Sequence, residues 1–140
     1  MILNRMLGVA LIAVLASFFT ATGAFAMENI PTAEENEANL KAGLKAGEEA
    51  LALFRDGKGV EAYKKTKEAS AFLGEISGEA LNATLGPAMT DLRYAGYAAR
   101  NSTHTDKGEE YTKEQSEKAG HLYQKSLSHI SNIANVMENE

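Results

Sequence analysis

"LKAGLKAGEEALALFRDGKGVEAYKKTKEASAFL", Leu40 to Leu73, decides the fold class. Leu40, Leu44, Gly47, Leu51 and Phe54 recur at alternating steps of four and three, which places them on one face of a helix. Asp56-Gly57-Lys58-Gly59 then supplies a stop, because glycine accepts the left-handed conformation in which helices commonly end. Ala62, Thr66, Ala69, Leu73 and Ile76 repeat the pattern in a second helix that the spacing carries from Val60 to Ser77, with Lys64, Lys65, Lys67 and Glu68 largely on its other side. Two helices joined by so short a turn lie antiparallel and side by side. Ahead of them, Thr32 and Glu35 have the spacing of a capping box.

Working outward, Gly86-Pro87 predicts an interruption, since proline suits the first turn of a new helix better than the interior of an old one. A third helix is therefore expected from Pro87 to Arg100, burying Leu92, Ala95 and Ala99, followed by a polar loop from Asn101 to Gly108. From Glu109 the chain reads as one long amphipathic helix whose Ala119, Leu122, Ile130, Ile133 and Met137 share an apolar arc. No mature segment alternates like a strand. The economical architecture is all-α: an antiparallel, up-down-up-down four-helix bundle. Gly43, Gly47, Gly96 and Gly120 are candidates for close helix packing. "DGKGVEAYKKTKEASAFL" and "DKGEEYTKEQSEKAGHL" also echo each other, as two duplicated hairpins would, although helical turns and amphipathic faces produce such echoes by chance.

Residues 1–26 carry Arg5, an uncharged apolar run and the small-residue ending Ala24-Phe25-Ala26, the layout of a secretory signal peptide. The competing reading is a retained membrane anchor. Cleavage leaves a single helical domain at 27–140, periplasmic or secreted, with no stable membrane association. The net charge of −5 becomes one unit more negative once Arg5 is removed, which argues against a nucleic-acid partner. The absence of cysteine rules out disulfides, thiolate metal sites, c-type haem attachment and thiol redox chemistry.

His121 and His129 are eight residues apart on one helix, hence about 80° apart around its axis and about 12 Å apart along it. They cannot grip one ion together, because a helical ligand pair needs a spacing of three or four. His129 falls at the edge of the apolar arc, where a histidine donates to a neighbouring helix. His121 has Glu117 one turn before it, a surface pair or a two-ligand cation site. His104 lies in the loop with Asp106 two residues on. No histidine follows a glutamate by three, and the metalloprotease, phosphate-loop and dinucleotide patterns are all missing. Ser126, Ser128 and Ser131 near His129 lack a visible acid and oxyanion hole, so the expectation is a non-enzymatic protein. Tyr94, Tyr97, Tyr111 and Tyr123 are expected at the boundary, rings inward and hydroxyls outward. The glycosylation-like patterns at Asn82 and Asn101 are read as chance matches.

"LKAGEEALALFRDGKG" (Leu44–Gly59), "KTKEASAFL" (Lys65–Leu73) and "EQSEKAGHLYQKSLSHI" (Glu114–Ile130) together resemble the bacterial small metal-binding protein family, exported four-helix bundles built from two similar hairpins. The resemblance implies binding of a divalent transition metal such as copper, nickel or zinc, with His121, His129, Glu117 and His104 as the ligands available here. The first hairpin departs from that family's histidine-rich pattern, offering Gly47, Phe54 and Phe72 instead. A different class of reading is an envelope protein-interaction or stress module, whose partner docks on the apolar segment Ala80 to Pro87 through Leu81 and Leu85. A third is a tetratricopeptide-like hairpin fragment, although the 34-residue period of that repeat does not continue.

Overall fold

The computed structural model of the chain describes residues 30–139; the segment read above as a signal peptide lies outside them. Four helices follow in order: α1 (Ala33–Arg55), α2 (Gly59–Gly74), α3 (Glu79–Asn101) and α4 (Glu109–Glu138), with a 3-10 turn at Thr105–Lys107 between the last two. Each helix packs on its neighbours in sequence, α4 closes back on α1, and the diagonal pair α1 and α3 barely touch. Cross-helix contacts show every adjacent pair to be antiparallel: Asn36 meets Ser77 while Glu49 meets Lys65, Gly59 meets Ala99 while Thr66 meets Gly96, Asn101 meets Gln115 while Thr84 meets His129, and Lys41 meets Glu138 while Phe54 meets Tyr123. The all-α bundle is as the spacing predicts.

Helix α1 opens with the predicted capping box: Glu35 N–H donates to Thr32 Oγ1 at 3.1 Å, and Thr32 N–H donates to Glu35 Oε2 at 2.8 Å. It ends in a Schellman arrangement, Lys58 N–H donating to Leu53 O at 2.9 Å and Gly57 N–H to Phe54 O at 3.0 Å, with Gly57 at φ +78°. Gly59 has a different task. A Cβ there would stand 2.1 Å from the Ala99 carbonyl oxygen and 2.7 Å from Thr103 Cγ2, so the start of α2 lies directly against the α3 backbone.

Among the described residues, ten of the nineteen buried hydrophobic side chains are alanine. Small side chains let helix axes approach closely, and Gly43, Gly47 and Gly96 extend the effect where Leu73, Leu127 and Thr66 press in. Gly120 differs, having only Phe54 Cε1 at an ordinary 3.8 Å. The most buried stripe of α1 is Asn36, Leu40, Gly43, Ala46, Gly47 and Ala50. It is shifted from the predicted one, with Leu44, Leu51 and Phe54 half-buried at the flank.

Three further expectations need correction. Helix α2 stops at Gly74, short of Ser77, because Asn36 captures the connection: its Nδ2 donates to Ser77 O at 2.8 Å and its Oδ1 accepts from Ser77 N–H at 3.2 Å. Helix α3 begins at Glu79 and runs through Gly86-Pro87. The proline removes one donor, whose helical acceptor is the Ala83 carbonyl on the exposed side, where water can satisfy it. Leu85 and Ala88 on either side are buried, and that packing holds the helix continuous. Tyr123, expected at the boundary, is wholly buried. Its hydroxyl lies 2.8 Å from Thr66 Oγ1, and the Thr66 hydroxyl donates to Ala62 O at 2.8 Å. Since Thr66 has only one proton to give, Tyr123 is the donor to it.

Candidate functional site

The three histidines are distributed along the bundle. His104 stands at the N-cap position of the 3-10 turn without a side-chain capping bond, its Nδ1 4.0 Å from Asp106 Oδ1, with both side chains substantially in solvent. His121 and Glu117 are exposed on α4. His129 lies near the far end of α4, about 30 Å along the axis from that helix's start beside the His104 turn. Among the described residues, no group of three or more His, Cys, Asp or Glu side chains is placed to hold a metal ion.

His129 does what a boundary histidine does: its Nε2 lies 3.2 Å from the Thr84 carbonyl oxygen of α3. That oxygen only accepts, so Nε2 carries a proton and Nδ1 is the nitrogen left over. The contact ties α4 to the first turns of α3, just ahead of Pro87. Lys125 Nζ repeats the tie one turn earlier on α4, at 3.2 Å from Asp91 Oδ2.

The continuous α3 creates a feature that a helix starting at Pro87 would not have. Ala80, Leu81 and Thr84 form one wall of an open groove of about 650 Å³, and His129, Asn132, Ile133, Val136 and Met137 of α4 form the other. The α4 residues follow the steps i, i+3, i+4, i+7 and i+8, one stripe on the helix surface. Val136 is 61% exposed, and Leu81 and Met137 are half-buried. None of the described residues that line the groove is a carboxylate. The Thr84 hydroxyl is committed to the Ala80 carbonyl at 3.0 Å. Its lining is therefore aliphatic with an imidazole and an amide at hand, a composition suited to holding an apolar surface.

The chain matches no protein-family model, no curated protein and no solved structure with which it was compared. No described helix is long and apolar enough to cross a membrane.

Ala80 to Pro87 is the segment in which the sequence analysis places a docking surface, and Leu81 is part of the groove; Leu85 is buried beneath it. Thr84, Asn132 and Val136 are groove residues that the sequence reading does not mark. Asn132 and Val136 stand at i+3 and i+7 from His129, a stripe that the core periodicity through Met137 obscures. Of the serines near His129, Ser126 is fully buried with its Oγ donating to Tyr123 O at 3.2 Å, which closes it off from any substrate.

Proposed function

We propose that this protein is an exported, non-enzymatic binding module whose α3–α4 groove receives the apolar face of an amphipathic helix from an envelope protein. The observation that carries this reading is the groove itself: aliphatic walls from two antiparallel helices, open along their length, with Val136 mostly in solvent. A partner helix meets such a groove through anchors at i, i+3, i+4 and i+7. The test is a labelled peptide with leucine or phenylalanine at those positions, titrated with the protein by fluorescence anisotropy. Saturable binding is expected, with Val136→Asp weakening it at least tenfold by placing a charge against an apolar surface. Equal binding by Val136→Asp, or none by the wild type, overturns the reading.

Export belongs to the same proposal, residues 1–26 acting as the signal peptide. Its check is the mass of the protein recovered from the periplasm or medium, which should start at Met27; a retained N-terminus counts against it. A duplicated-hairpin origin for the two halves is part of the proposal only as history.

A second reading follows the resemblance to the small metal-binding protein family. The His104–Asp106 pair is the observation in its favour, with His121, Glu117 and the spare Nδ1 of His129 as separate weak donors. These sites are too far apart to converge within one molecule, so copper, nickel or zinc would bind at independent positions. Calorimetric titration decides it: heat that disappears when His104, His121 and His129 are replaced by alanine supports metal binding, and heat that persists, or none at all, removes it.

A further inference from the structure

The outer face between α2 and α3 carries a second surface, distinct from the groove just described. Tyr63, Thr66, Lys67 and Ser70 of α2 and Arg93 and Tyr97 of α3 line a shallow cleft of about 190 Å³. The Tyr63 and Tyr97 rings lie 5.5 Å apart between centroids at an interplanar angle of 35°. The Arg100 guanidinium sits 4.6 Å from the Tyr63 centroid and 5.5 Å from that of Tyr97, and Lys67 Nζ is 5.6 Å from Tyr63. Three cations thus gather on one face of a chain whose net charge is −5.

Among the described residues, no carboxylate falls in the two helical rows that border the cleft. The α2 row is Val60, Tyr63, Lys67, Ser70 and Gly74; the α3 row is Gly86, Thr90, Arg93, Tyr97 and Arg100. Among the described residues, the lysine–carboxylate ion pairs engage Lys41, Lys65 and Lys125, none of which lines the cleft. Like charges gathered without a counterion are unfavourable in the free protein and become favourable when an anion arrives. The two tyrosine rings hold the Arg100 guanidinium by cation–π attraction, and among the described residues it has no carboxylate partner, so its N–H groups remain available to an arriving carboxylate.

Arg93 and Arg100 are seven residues apart, about 10 Å along α3. Carboxylates at i and i+7 on another helix have the same separation. Tyr97 lies between the two arginines and is 38% exposed, a platform for an apolar side chain. A long phosphate polymer fits the observations less well, because the rest of this acidic chain repels it, whereas a short acidic helix meets only the cationic face.

We propose that the α2–α3 face docks an acidic amphipathic helix of a partner protein, Arg93 and Arg100 receiving glutamates at i and i+7 while Tyr97 seats an apolar residue between them. The probe is a fluorescein-labelled helical peptide with glutamates at that spacing and leucines between, titrated with the full mature chain at about 50 mM salt, where screening is weak. Saturable binding is expected, weakened at least tenfold by Arg93→Gln/Arg100→Gln and by raising the salt to about 300 mM. Val136→Asp, in the other groove, should leave it unchanged, which separates this proposal from the preceding one. Arg93→Gln alone disturbs neither tyrosine contact of Arg100 and serves if the double variant fails to fold. Equal binding of a peptide with glutamine in place of glutamate, equal binding by the arginine variants, or no saturation overturns the proposal. So does tighter binding of a single-stranded oligonucleotide or of anionic vesicles, or a salt-sensitive self-association in sedimentation that the arginine variants abolish.

Discussion

Gly59→Ala is expected to destabilise the bundle by about 3 kcal/mol, the upper end of what overpacking costs in a well-fitted interior. The added Cβ would stand 2.1 Å from the Ala99 carbonyl oxygen, and its second neighbour is Thr103 Cγ2 at 2.7 Å. Backbone cannot rotate out of the way, so α2 and α3 would have to part along their shared contact, which also includes Gly96 against Thr66. In urea unfolding the midpoint should fall by about 2 M, taking a slope of about 1.5 kcal/mol per molar for a domain of this size. Gly47→Ala is the control. Its nearest neighbour is Leu127 Cδ2 at 2.5 Å, the far end of a side chain that can change rotamer, and the next atom is 3.8 Å away. A loss of about 1 kcal/mol or less is expected there, partly offset by the better helix propensity of alanine. Equal losses at the two positions would mean that α3 yields to α2 as easily as a leucine yields to α1, and the close backbone contact would have to be given up.

The second large effect lies at Thr66 and Tyr123. Thr66→Val keeps the shape of the side chain but leaves the buried Tyr123 hydroxyl with no acceptor, at a cost of about 2 kcal/mol. Tyr123→Phe should cost less than about 1 kcal/mol, because Thr66 still donates to Ala62 O. Combining the two should recover part of the Thr66→Val loss, and the coupling in this double-mutant cycle measures the bond directly. Additive losses would show that the pair contributes no more than its packing.

The same phenol sets an alkaline limit. Burial pushes the Tyr123 pKa above its ordinary value near 10, which means the folded state favours the neutral form. Its contribution is complete below about pH 10, where the phenol is neutral whether the chain is folded or unfolded. Above that the unfolded chain gains by ionising, so stability declines until the pH reaches the raised folded value. Tyr123→Phe should lack this component of the decline, as unfolding midpoints compared on either side of pH 10 would reveal.

These two sites also mark where sequence reasoning succeeds and where it stops. Leu40 to Leu73 yields the first hairpin because its signals are local: a capping box, a helical period and a glycine turn whose bonds form within a few residues. The α4 arc is legible for the same reason. Pro87 misleads because its local penalty is outweighed by burial of Leu85 and Ala88, a tertiary effect with no local trace. Tyr123 misleads because its hydroxyl partner is 57 residues away on α2. The candidate sites divide the same way. The stripe of His129, Ile133 and Val136 is written in α4 alone, but its depth depends on the extra turns of α3. The tyrosine–arginine face needs two helices in register, which no single periodicity specifies.

Gly59, Ala62, Ala95, Ala99 and Ala119 bring the helices close toward one end of the bundle, and Leu40, Leu73, Ile76, Leu85 and Ile133 fill it toward the opposite end. Bulky aliphatic groups can exchange rotamers, whereas a glycine against a carbonyl has nothing to exchange. Added bulk is consequently least tolerated at the Gly59 contact, where backbone meets backbone. Leu81, Val136 and Met137 line the groove at the other end of the bundle, several turns away from that contact.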